Sequence, residues 1–393
     1  MFEMIGKYNK AKVYASTVEQ AAYTQILNLL NQKFSEGSEI AIMPDCHAGA
    51  GCVIGFTQTI VDKVVPNLVG VDIGCGMLVC EIDGNLNLEQ LDEVIHNKIP
   101  SGMKHRNSKH KFADIPNIQN IVAPVKVDEL RLSIGTLGGG NHFIEVDVDN
   151  EGRKYIVIHS GSRHLGIEVA KYWQDKAVKY HANNTGLRNR VIARCKKEGR
   201  EKDIQRELSL IETVHIPSEL AYLEGEDMKN YLHDMDIAQR YAEVNREAML
   251  DVILSNMGIM PVAKFSTIHN YIDLRRNILR KGAISLDKNE LAIIPMNMRD
   301  GSLIVKGKGN PEWNFSGPHG AGRLMSRSKA KESISLVEFE DSMKGIFTTC
   351  VNTSTIDESP MAYKPMDEII ENIEPAADII NIIKPIYNFK ASE

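Results

Sequence analysis

The chain has 393 residues, of which 43% are hydrophobic and 25% charged, with a formal net charge of −6. This is the balance of an ordinary soluble globular protein long enough for a large core, and it excludes a bulk basic signature, so any nucleic acid must meet a local basic site. No apolar run approaches the roughly 20 residues of a membrane span. The N-terminal Met-Phe-Glu-Met-Ile-Gly-Lys lacks an apolar signal core, and the six cysteines have no scaffold spacing; a cytosolic protein with reduced thiols and no membrane partner is expected.

Val18, Ala22, Ile26 and Leu29-Leu30 recur at helical spacing behind Thr17, which predicts a helix over 14–34. Residues 39–43 read as a short buried strand that runs into a polar, glycine-rich turn, Pro44-Asp-Cys-His-Ala-Gly-Ala-Gly-Cys52, before apolar Val53–Phe56. Asp45 and His47 in that turn either orient ligands or cap the turn. In Leu68-Val-Gly-Val-Asp-Ile-Gly-Cys-Gly-Met77, Asp72 and Cys75 stand three apart on a glycine-kinked strand end, where carboxylate and thiolate can reach one metal or bridge two. Between 85 and 130, His96, His105 and His110 lie among Lys and Arg, as a solvated stretch or as contacts to a polyanion.

Ser133-Ile-Gly-Thr-Leu-Gly-Gly-Gly-Asn-His-Phe-Ile-Glu145 is a flexible backbone cradle followed by a strand. Strand alternation puts Asn141, Phe143 and Glu145 on one face and His142 on the other. Lys154–Ser160 is a buried strand ending at His159, and Gly161-Ser-Arg-His-Leu-Gly166 brings Arg163, with His164 the weaker ligand candidate in a loop before a helix from Ile167. Residues 184–250 are mainly helical and charged, with a long amphipathic helix over 231–250 and a structural His233. His269 sits beside Asn270, and Arg275, Arg276, Arg280 and Lys281 form the most basic local stretch, suited to phosphate. Residues 291–305 read as strand, tight turn and strand, with Ser302 as an anion or base contact. His319 then lies among Gly317, Gly320 and Gly322, ahead of Arg323; a histidine so placed can attack phosphorus or hold a metal. Near the C-terminus, Tyr363 precedes a helical stretch, and apolar Pro-Ile-Tyr-x-Phe before Lys390 predicts a tail that is tied down.

Asp72, Cys75, His142, His159 and His269 make five candidate ligands, more than one tetrahedral site takes, which points to two metals sharing a bridging Cys75. They are spread so widely that convergence requires one large domain. A metal pair beside a nucleophilic His319 suggests nucleotidyl or phosphoryl transfer through a phosphohistidine; a dinuclear metallo-phosphoesterase is the alternative.

These motifs, in order along nearly the whole chain, resemble the RtcB family of RNA ligases: Pro-Asp-Cys-His-Ala-Gly-x-Gly, Val-Gly-x-Asp-Ile-Gly-Cys-Gly-Met, Gly-Thr-Leu-Gly-Gly-Gly-Asn-His-Phe-x-Glu, His-Ser-Gly-Ser-Arg, Arg-Lys-Gly-Ala, His-Gly-Ala-Gly-Arg and Ala-Tyr-Lys. The resemblance implies an α+β fold: one domain over 1–393, central sheets flanked by helices, and the helical segment 184–250 within it. It implies a GTP- and Mn²⁺-dependent enzyme that joins an RNA 3′-phosphate or 2′,3′-cyclic phosphate to a 5′-hydroxyl, in repair or tRNA splicing, and brings in an archease-type activator as a partner. By resemblance, Asp72, Cys75, His142, His159 and His269 hold two Mn²⁺. His319 takes GMP. Asn141, Glu145, Ser302, Gly320, Gly322, Tyr363 and Lys390 bind guanylate, and Arg163, Arg323 and Lys281 meet phosphate or RNA. The chain departs from the family pattern at Pro295-Met-Asn-Met-Arg-Asp-Gly301, at Pro318 before the histidine, and in the 44–51 loop, as a divergent branch would.

Overall fold

A computed structural model describes residues 1–211 and 216–391. Two mixed-purpose sheets carry the site. A six-stranded sheet runs in the order Phe2–Ile5, Lys10–Val13, Ile40–His47, Ile54–Thr59, Ile278–Lys281, Asn270–Asp273. A seven-stranded antiparallel sheet runs Met260–Ile268, Gly76–Asp83, Lys154–Ser160, Phe143–Val148, Ala377–Lys390, Gly301–Gly307, Leu291–Asn297. Helices pack on these sheets, which makes the fold α+β. Among the described residues no helix is long and apolar enough to cross a membrane.

The central strands are near-continuous apolar runs because both faces are covered; Ile156, Val157 and Ile158 are all fully buried. On one side the 33-residue helix Gly225–Met257 inserts Met249, Leu250 and Ile253 against Ile144, Val146, Ile156 and Ile158. The same helix buries Asn245 and Arg246, which sequence periodicity placed in an apolar stripe. Asn245 Oδ1 accepts the Gly135 and Thr136 N–H groups at 2.8 and 3.1 Å, and Arg246 Nη1 donates to the carbonyls of Gly74 and Ser160 at 2.9 and 2.8 Å. One helix therefore fixes the three glycine-bearing turns beside Cys75, His142 and His159.

Several elements differ from the sequence expectation. The first helix is Gln20–Leu30, starting after Glu19 and not after Thr17, because Lys10–Val13 is drawn into the sheet and the chain stays extended to Glu19. The strand predicted to stop at 43 continues through Pro44–His47, with an irregular register between Ile42 and His47. Leu88–Lys98 is a helix within the mixed 85–130 region, capped by the Asn87 side chain. His164 is helical, since the helix Arg163–His181 begins four residues before Ile167. The 184–250 segment holds Thr185–Lys197, Ile204–Ser209 and most of Gly225–Met257, as expected; residues 212–215 of it lie outside the described residues. The tail is tied down as the 14-residue strand Ala377–Lys390. All six cysteines are buried free thiols.

Candidate active site

Antiparallel pairing gathers the candidate ligands at one end of four neighbouring strands. Ile268 pairs with Gly76, Gly76 with Ser160, and Phe143 with His159. Cys75 precedes the second strand, His269 follows the first, His142 precedes the fourth, and His159 stands near the end of the third. Lys390 pairs with Phe143 at the same end of the fifth strand. Ligands that span 197 positions from Asp72 to His269 thus meet without a long loop.

The donor atoms form two overlapping triads, Asp72–Cys75–His142 and Cys75–His159–His269, each within 4.8 Å internally. Cys75 Sγ lies 3.4 Å from His142 Nε2 and 3.2 Å from His159 Nε2. His142 Nδ1 donates to the Leu137 carbonyl at 2.9 Å and His159 Nδ1 to the Asn141 carbonyl at 3.2 Å, so both rings turn Nε2 inward. A neutral His142 held in this way has a lone pair on Nε2, yet Asp72 Oδ2 lies 2.9 Å away. Two acceptors facing each other at that distance, beside a sulfur and two more imidazoles, are what a divalent cation satisfies. Burial, then the Asp72 charge, push the Cys75 thiol well up, and burial holds His159 and His269 well below the usual imidazole range. Burial works to raise Asp72, but its bond to His142 brings it below the ordinary carboxylate value. Gly161 is required here, because a Cβ would fall 2.0 Å from Asp72 Oδ1.

His319 follows the strand Ser316–Pro318, which pairs with Ala283–Ser285; the Ala283 N–H donates to the His269 carbonyl at 3.1 Å. That chain of contacts sets the His319 ring 4.9 Å from the His269 ring. Asp45, fully buried, accepts from the His319 backbone N–H at 3.0 Å and from Nδ1 at 2.6 Å through one oxygen, Oδ2. Nε2 is left free. Gly282 and Gly322 (φ +59° and +77°) let the chain close around this pair; a Cβ on Gly322 would sit 2.7 Å from the Asp45 carbonyl oxygen. His47 Nδ1 donates to the same carbonyl at 2.9 Å.

Both groups open into one cavity of about 290 Å³. Asp72, Cys75, His159, His269, His319, Asn141, Glu145, Gly320, Gly322, Arg323, Tyr363 and Lys390 line it. At the far wall lies a cluster that sequence reasoning missed. Glu358 accepts from Lys390 Nζ at 2.6 Å and Tyr363 OH at 2.7 Å, and pairs with Arg327 at 2.7 Å and Arg323 at 3.4 Å. Burial tends to raise Glu358, but Lys390 and Arg327 outweigh it and hold it at about 2. Glu145, hydrogen-bonded by Asn388, is pushed up to about 7 by burial, although Lys390 opposes the shift.

Other expected residues stand elsewhere. Ser302 pairs with Pro295 and Ile383, further back along the sheet, and its buried hydroxyl has no partner. Lys281 is buried and donates to the carbonyls of Ala50 and Asn67. Arg163 donates to Thr136 Oγ1 at 3.1 Å and to the Gly102 carbonyl. None of the three lines the cavity. Asn297 does, and closes its own turn by accepting from the N–H groups of Arg299 and Asp300 at 3.0 and 2.9 Å.

The fold and site define a class: an α+β enzyme in which a thiolate shared between two donor triads faces a carboxylate-held histidine. The family profile described as tRNA-splicing ligase RtcB matches residues 25–129 and 119–391. An RNA-splicing ligase RtcB of Escherichia coli K12 is 31% identical over 94% of each chain, and a tRNA-splicing ligase RtcB of Aeropyrum pernix is 26% identical over 90% of this chain and 87% of its own. The chain belongs to the RtcB family.

Proposed function

We propose that the protein is an RNA ligase that joins an RNA 3′-phosphate or 2′,3′-cyclic phosphate end to a 5′-hydroxyl end, using GTP and two Mn²⁺, in RNA repair or tRNA splicing. The observation that carries the reading is the Asp45–His319 bond of 2.6 Å beside the shared-thiolate donor set. The proposal takes 1–393 as one catalytic domain acting in the cytosol.

Asp72, Cys75, His142, His159 and His269 would hold the metals, with Cys75 common to both. When bound, divalent ions supply charge to phosphate oxygens and lower the pKa of a bound water. The chain's own residues do the rest. Asp45 keeps the Nδ1 proton and offsets the positive charge that His319 gains as Nε2 attacks the α-phosphorus of GTP. An N–P bond forms and the bond to pyrophosphate breaks. GMP then passes from Nε2 to the RNA 3′-phosphate, and the 5′-hydroxyl displaces GMP as the phosphodiester forms. A cyclic phosphate is first hydrolysed to the 3′-phosphate. Asn141, Glu145, Tyr363 and Lys390 hold the guanylate, Gly320 and Gly322 let it approach, and Arg323 meets phosphate. Arg163 and Lys281 act as scaffold, since their donors already serve backbone carbonyls.

The test uses GTP labelled at the α-phosphate. Denatured protein should retain label only after incubation with Mn²⁺, in an acid-labile, alkali-stable bond. His319→Ala should keep its metal and lose both the label and ligated RNA. Label carried by a lysine would overturn the reading, and a protein that cleaves RNA ends without labelling would be the metallo-phosphoesterase.

A further inference from the structure

A second recess lies outside the cavity, between the end of the Leu88–Lys98 helix and the following loop, lined by His96, Asn97, Pro100, Met103, Lys104 and His105 among others. Its loop, Met103-Lys-His-Arg-Asn-Ser-Lys-His-Lys111, is dense in basic residues in a chain of net charge −6. Several of these cations are already matched: Lys109 by Asp128 at 3.3 Å, Lys111 by Asp251 at 2.6 Å. Arg106 Nη1 donates to the Lys98 carbonyl at 3.2 Å, offsetting the negative end of the helix. Lys98 and Lys104 are exposed, and among the described residues neither forms an ion pair. Met103 is 75% exposed, a large apolar side chain left in water beside two imidazoles.

Three contacts tie this groove to the cavity. The Leu137 N–H donates to the Pro100 carbonyl at 2.9 Å, while the Leu137 carbonyl takes the proton of His142 Nδ1 at 2.9 Å. Gly102 N–H donates to the Gly138 carbonyl at 2.9 Å, and the Gly102 carbonyl accepts from Arg163. His96 packs edge-on against Phe389, 4.9 Å between ring centres, next to Lys390. The groove walls are thus built from the backs of the residues that form the site.

We propose that this groove carries the backbone of a single-stranded RNA as its end enters the cavity, with Lys98 and Lys104 on phosphates and His96, His105 and Met103 against bases. A positive track with flat or polarisable side chains is what sequence-tolerant binding of single strands needs. The inference rests on the ligase reading for the identity of the nucleic acid, but its test does not.

Binding of fluorescent single-stranded RNA, without GTP, is measured against salt for the parent, for Lys98→Glu/Lys104→Glu, and for Lys196→Glu/Lys197→Glu on a distant exposed helix face. One RNA ends in a 3′-phosphate and a second carries a 5′-hydroxyl, so that the strand held by the groove is assigned. For at least one strand the groove variant should bind about 10- to 100-fold more weakly, with the log–log salt slope reduced by about 2, one per lost phosphate contact. The distant variant should bind like the parent. GTP labelling of His319 should be unchanged in the groove variant, which also shows that it is folded; Lys98→Ala/Lys104→Ala serves if the reversal disturbs folding. Parent-like binding of both strands by the groove variants, or equal weakening in the distant variant, overturns the proposal. A parent that takes no label from GTP defeats the ligase reading and leaves the binding result standing.

Discussion

Asp45 is where a single atom decides most. Its Oδ2 accepts from both the backbone N–H and Nδ1 of His319, so it sets the ring's position and tautomer together. Asn at 45 keeps the shape but loses the charge that offsets a cationic ring, and its amide would face the ring with a donor. Asp45→Asn should slow guanylylation of His319 on the order of 10²- to 10⁴-fold, by analogy with loss of the orienting carboxylate in serine hydrolases. Metal content by elemental analysis should not change; a loss of metal would show that Asp45 serves the ligands instead. The sequence offers Asp45 as an orienting group but not its target, since the two residues are 274 positions apart. The metal ligands were legible because each follows or ends an apolar strand at a glycine-rich turn, a local signal. Glu358 gave none: it stands in an unremarkable Asp-Glu-Ser-Pro turn, and its meaning comes from Lys390, 32 residues away, and Arg327. Lys281 and Arg163 misled for the same reason in reverse, as basic character is visible in sequence while the carbonyls that consume it are not.

The last strand, Ala377–Lys390, pairs with Phe143–Val148 on one side and Gly301–Gly307 on the other, and its end delivers Lys390 to Glu358. An apolar run before a terminal lysine revealed a tied-down tail, but not a central strand, because pairing partners lie more than 200 residues upstream. Residues 388–390 pair with Phe143–Glu145 and are buried, so truncation at 387 would damage the sheet as well as the site. Lys390→Met is the cleaner change; losing a hydrogen bond to a charged group should cost about 2 kcal/mol, read by denaturant unfolding, together with guanylylation. Glu358 adds a pH signature. Its folded pKa, about 2, lies below the ordinary value of 4.5, so its contribution is present above about 4.5 and is lost as pH falls toward 2. The parent should lose about 3 kcal/mol over that window from this group, and Glu358→Gln should lose correspondingly less. Equal acid sensitivity of the two proteins would show that the cluster does not stabilise the free enzyme. Glu145, raised to about 7, acts oppositely: its contribution is whole below about 4.5 and is lost as pH rises through 7.

Across the whole molecule, the site is a junction between distant parts of the chain. Asp72 and Cys75 lie on the turn before Gly76–Asp83, His142 and His159 flank the next two strands, His269 ends Met260–Ile268, and the Gly225–Met257 helix holds the intervening turns through Asn245 and Arg246. Metal that binds only this assembled set stabilises the folded state by mass action, about 2.7 kcal/mol at 100 times Kd. In a chain of this size that is a rise of a few degrees in Tm on adding Mn²⁺ to metal-free protein. The overlap of the triads at Cys75 makes the pattern across variants diagnostic. Asp72→Ala touches one triad and His269→Ala the other, so each should retain about one ion and part of the Tm rise. Cys75→Ala touches both and should retain less metal than either, with little rise. Elemental analysis after dialysis, paired with Tm, reads both quantities. If Cys75→Ala holds as much metal as the parent, the thiolate is not shared, and the two triads are not a bridged pair.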